Sequence, residues 1–75
     1  MKTRKEVLIE MHDLLEEGIV REQIKIDYTT DVKMAENTTK AGKQKCEADI
    51  DAAKFNIKHN ENQMLWINKQ LLLCA

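Results

Sequence analysis

A chain of 75 residues with 12 basic and 13 acidic side chains, one Phe, one Tyr and one Trp has room for one small domain, residues 1–75, and no second. The charges nearly cancel, so no net field draws the protein onto phosphate or anionic lipid, and nucleic acid is not an expected partner. With so few aromatics the core is thin, and chains this short usually need a staple, a metal or a partner chain, which points to a homo-oligomer.

The N-terminal stretch "MKTRKEVLIEMHDLL" has a basic tip, but acids and a His interrupt its apolar run as no secretory segment does, so a cytoplasmic location is expected. Thr3 and Glu6 have the spacing of a capping box, in which the hydroxyl and the carboxylate each satisfy a free amide at a helix start. Val7, Leu8, Met11, Leu14 and Leu15 then share an arc of about 120° at helical spacing. Glu6, Glu10, Asp13, Glu16 and Glu17 lie opposite. Gly18 would supply a left-handed stop, so the pattern predicts a short amphipathic helix over 3–17.

Residues 19–74 carry almost no punctuation: Pro is absent and Gly42 stands alone. At 100° per residue Val20, Ile24, Tyr28, Val32, Ala35, Thr39, Gly42, Cys46, Ile50, Ala53, Ile57, Asn60, Met64, Ile67 and Leu71 hold one narrow face. The repeat is about 3.6 residues, the period of a straight helix rather than a strict heptad. The unbroken phase favours one rod of roughly 80 Å. The alternative is an antiparallel helical hairpin turning near Gly42, with Lys40 in the last turn of its first arm. Alternation in "IKIDYTT" would also suit a strand, but no second strand exists to pair with it. The expected fold is therefore all-α: a short N-terminal helix followed by a long helix or hairpin, assembled into an oligomeric helical bundle or coiled coil.

Towards the C-terminus a second apolar line appears, with Phe55, Trp66 and Leu73 away from the main stripe and Leu65 and Leu72 between the two. A helix apolar most of the way round is surrounded by other chain. Met64, Leu65, Trp66, Ile67 and Leu71 are accordingly the candidate partner-binding residues, set against the plainer reading that they form core. Asn60 or Asn62 could cap a separate final helix. The apolar stretch is too short, and too interrupted by Asn68, Lys69 and Gln70, to cross a bilayer.

No catalytic constellation is visible. Cys46 and Cys74 read as small hydrophobes rather than a disulfide, and His12 and His59 have no Cys or second His at metal-ligand spacing. The two glycines are isolated, so there is no phosphate loop, and neither a metal nor a cofactor is expected. The expectation is a non-enzymatic oligomerisation and protein-interaction module. Chains of this size class suit an accessory or inhibitor protein of a phage or mobile element, an expectation that no single residue carries. The alternative is an oligomeric binder of a small anionic ligand such as a nucleotide, held by Lys40, Lys43 and Lys45 beside Gly42. A second alternative is a DNA-binding helix-turn-helix within residues 14–38, although that segment lacks a basic surface.

Overall fold

A computed structural model describes residues 1–74. Its two helices, α1 (Arg4–Met34) and α2 (Lys40–Leu73), pack against each other. Arg4 donates to Gln70 and Lys33 pairs with Glu47, so one helix ascends as the other descends. The chain is all-helical and forms an antiparallel hairpin.

Helix α1 begins where the sequence places it. The Glu6 backbone N–H donates to Thr3 Oγ1 at 3.2 Å, and the Thr3 hydroxyl lies 3.2 Å from Glu6 Oε1. The box is thus closed side chain to side chain on its return arm, rather than through the Thr3 amide. The expected end at Gly18 does not occur. No glycine among the described residues has positive φ, so Gly18 is an ordinary helical residue at a propensity cost of about 1 kcal/mol. Its missing side chain admits the other helix: a Cβ there would stand 3.0 Å from Asn60 Nδ2.

The single rod over 19–74 is likewise corrected to a hairpin, and its turn lies ahead of Gly42, at residues 35–39. The stop is made by polar side chains. Ala35 leaves the helix with extended backbone, and the Val32 carbonyl accepts both the Ala35 N–H at 3.2 Å and the Thr38 hydroxyl at 2.6 Å, which ties the turn to the helix end. Thr39 then caps α2 by accepting from the Gly42 N–H at 3.1 Å. Gly42 is therefore in the first turn of the second helix rather than beyond the end of the first. Thr39→Ala is expected to cost about 0.5–2 kcal/mol, read as a lower urea midpoint with unchanged slope. No break occurs at Asn60 or Asn62, which lie inside α2.

The inward positions explain why the stripe misled. On α1 the side chains turned away from solvent include Leu8, His12, Leu15, Ile19, Glu22 and Ile26, at alternating steps of four and three. On α2 they are Cys46, Ile50, Ala53, Ile57, Asn60, Met64, Ile67 and Leu71, with the same two steps. The packing period is thus the heptad's, not the straight-helix period inferred from the stripe. The α2 half of that stripe does face α1. Its α1 half, Val20, Ile24, Tyr28 and Val32, lies exposed on other sides of the first helix. Continuity of phase across the turn was an accident of chain numbering.

Among the described residues only Leu8, Cys46, Ala53 and Ile67 are buried, because His12, Glu22, Thr29 and Lys33 occupy inward positions of α1 that apolar residues would otherwise fill. Exposed pairs such as Arg21–Glu17 at 3.1 Å add little. The hairpin measures 54 × 18 × 15 Å. Its radius of gyration is 17.0 Å, against about 11 Å for a compact globule of this length.

Candidate functional site

The two chain ends meet at one end of the rod, where α1 brings Met11, Leu14 and Leu15 opposite Gln63, Trp66 and Ile67 of α2. These six residues line an open, mostly apolar groove of about 480 Å³. Its floor is Ile67, 1% exposed, and its rims are Leu14 and Trp66, 67% and 52% exposed. Helical spacing makes the groove: Met11 and Leu14 are three residues apart on one edge of α1, and Gln63, Trp66 and Ile67 recur at three and four residues on α2. It offers no nucleophile or acid–base pair among its lining residues, so its chemistry is that of apolar contact. No family model matches the chain, and neither does any curated protein or solved structure. What the groove can do rests on its geometry.

The proposed partner-binding residues separate into three groups. Ile67 is enclosed within the hairpin, and Met64 and Leu71 are half-buried on the same α2 face. Leu65 and Trp66 are exposed. Trp66 also borders a shallow outer surface with Asn62, Leu65, Asn68, Lys69 and Leu72, so its ring bridges the interhelical groove and the outside of α2. Met11 and Leu14, the α1 half of the groove, were assigned to the N-terminal helix but not to a site. Their high exposure separates them from Leu8 and Leu15, and that split becomes visible only once α2 has taken its place.

Lys40, Lys43 and Lys45 lie at the opposite end of the rod, all exposed in the first turns of α2. They border none of the three surface grooves described here. Residues 14–34 are one unbroken stretch of α1, so the helix-turn-helix rhythm contains no turn before residue 35.

One further cluster joins His12 to two carboxylates, a grouping that the spacing of His and Cys does not reveal. His12 Nδ1 stands 3.7 Å from Asp13 and 3.8 Å from Glu16, with ligand-type atoms of all three within 4.8 Å of one another. A protonated imidazole would pair with either carboxylate. Alongside, Asp13, Glu16, Glu17 and Val20 border an acidic, open surface on α1. Both cysteines are free: Cys46 is buried and Cys74 exposed. About 42 Å of helix separates them, so they cannot bridge within one chain. No described helix is long and apolar enough to cross a membrane.

Proposed function

We propose that this chain is a non-enzymatic helical oligomerisation and protein-interaction module, in which hairpins associate through apolar surface to complete a bundle or coiled-coil core. One observation supports the reading above the others. The hairpin exposes 5991 Å². A compact monomer of 8.7 kDa exposes about 4,700 Å², so roughly 1,300 Å² is in excess. Obligate homodimers bury on the order of 1,000–2,500 Å² per subunit, a range that contains this excess. The exposed set is also of the right kind, since it includes Leu14, Tyr28, Leu65, Trp66 and Leu72 rather than isolated small residues.

Association is expected at micromolar concentration in sedimentation velocity, with helicity and melting temperature falling on dilution. A folded monomer whose melting temperature does not depend on concentration would contradict the proposal.

A further inference from the structure

We infer that the occupant of the interhelical groove is a second copy of this chain, running antiparallel along α1, with Tyr28 of each copy seated between Met11, Leu14 and Trp66 of the other. The inference rests on the oligomerisation reading above and specifies its interface.

The starting observation is a second seam on α1. Val7, Met11, Leu14, Tyr28 and Val32 are all exposed, and all fall on one line of alternating four- and three-residue steps beside the inward seam. Gly18, Arg21 and Lys25 fill the middle of that line. A helix with two adjacent seams at heptad spacing packs against two neighbours. Helix α2 is one of them. The groove shows that the second seam opens towards the Trp66 side, because Met11 and Leu14 line it with Trp66.

The order of residues along the seam selects the occupant. Apolar side chains stand at both ends and the polar ones between, so the seam is complementary to itself when reversed. A two-fold axis midway between Val7 and Val32, beside Ile19 and Val20, sets Val7 level with Val32 of the second copy and Met11 level with its Tyr28. Tyr28 is 70% exposed, and its ring is thereby brought opposite the 480 Å³ groove at Met11. The middle of the seam also agrees. Gly18 comes level with Arg21 of the second copy and presents no side chain to it, its Cβ position facing Asn60 Nδ2 of its own α2 at 3.0 Å. Leu14 comes level with Lys25, whose methylene stem can cover it while the ammonium stays in water. Glu17, which holds Arg21 of its own chain at 3.1 Å, lies within one residue of level with Arg21 of the other. A parallel pairing would instead stack Arg21 on Arg21 and Lys25 on Lys25, like charges in contact. The net charge of −1 per chain puts little repulsion in the way of a pair. The excess surface of about 1,300 Å² per chain is of the size such a pair would bury.

The test uses the intact chain and its only tryptophan. Wild type, Tyr28→Lys, Tyr28→Ala and Ile24→Lys are compared by sedimentation velocity and by Trp66 emission over a dilution series, with far-ultraviolet circular dichroism to follow helicity. Tyr28 and Ile24 are both exposed, so both lysine variants leave the contacts inside one hairpin intact, but only Tyr28 lies on the seam. The expected result is a wild-type dimer whose Trp66 emission shifts to the red on dilution. Tyr28→Lys should weaken association at least about 100-fold, Tyr28→Ala roughly 10-fold or more, and Ile24→Lys less than about 3-fold. If the wild type associates but Tyr28→Lys and Tyr28→Ala associate as tightly, or Ile24→Lys is the variant that dissociates, the seam is overturned and the oligomerisation reading stands. A monomeric wild type overturns both.

Discussion

Ile67→Ala is expected to destabilise the protein by about 2–5 kcal/mol and, at low micromolar concentration, to leave much of it unfolded at 37 °C. The residue is 1% exposed and is the largest side chain fully enclosed by the hairpin. Removing its outer carbons loses their transfer free energy and leaves a cavity that two long helices, held along their length, cannot collapse locally. A chain of this length has on the order of 4–11 kcal/mol of stability in all, so one site accounts for a large part of it. Phe55→Ala supplies the contrast. Phe55 is the larger residue and sits on the same helix, but it is exposed, and its loss should change stability by no more than about 0.5 kcal/mol unless it joins a contact between chains. Urea unfolding of both variants at one fixed protein concentration decides the matter, since stability coupled to association depends on that concentration. Equal midpoints for the two would show that the hairpin core does not hold the fold.

Ala53→Leu tests the opposite error. Ala53 is 0% exposed, and it stands in line with Cys46, Asn60 and Ile67 at seven-residue intervals on the inward face of α2. Three added carbons have nowhere to go without pushing the helices apart, at a cost of about 1–3 kcal/mol. By intrinsic propensity the change is nearly neutral, since Leu ranks next to Ala in helices. A loss of that size, seen as a lower melting temperature with helicity retained at 10 °C, therefore reports interhelical spacing rather than helix formation. Stabilisation by the larger side chain would mean that the two helices do not meet at this level.

Residue by residue, the legibility of this protein follows the range of the forces involved. Thr3 and Glu6 announced the first helix because a cap is a contact over three residues, and the cap forms at that place. The stop was misassigned for a related reason. Gly18 and Gly42 are the conventional signals, yet neither breaks a helix, whereas Thr38 and Thr39 end one helix and begin the next with their hydroxyls. The Glu-Asn-Thr-Thr run at 36–39 was a readable turn signal. The stripe nonetheless passes through Ala35 and Thr39 without a change of phase, which favours the single rod over the hairpin alternative near Gly42. Of the groove, the α2 half was legible as the crowding of apolar residues around Trp66. The α1 half was not, because Met11 and Leu14 are indistinguishable from Leu8 and Leu15 until a second helix takes one pair and leaves the other.

Composition and local spacing were enough to decide that this chain is of the all-α class, where its first helix starts, and that it carries more apolar surface than one thin core can hold. The turn position and the choice among competing apolar faces of α1 belong to the tertiary structure. Periodicity says which residues share a side of a helix, and that is a property of the backbone alone. Which side is buried depends on the surface brought against it: the α2 face from Cys46 to Leu71 docks where Leu8, Leu15, Ile19 and Ile26 meet it, leaving Met11, Leu14 and Tyr28 in solvent.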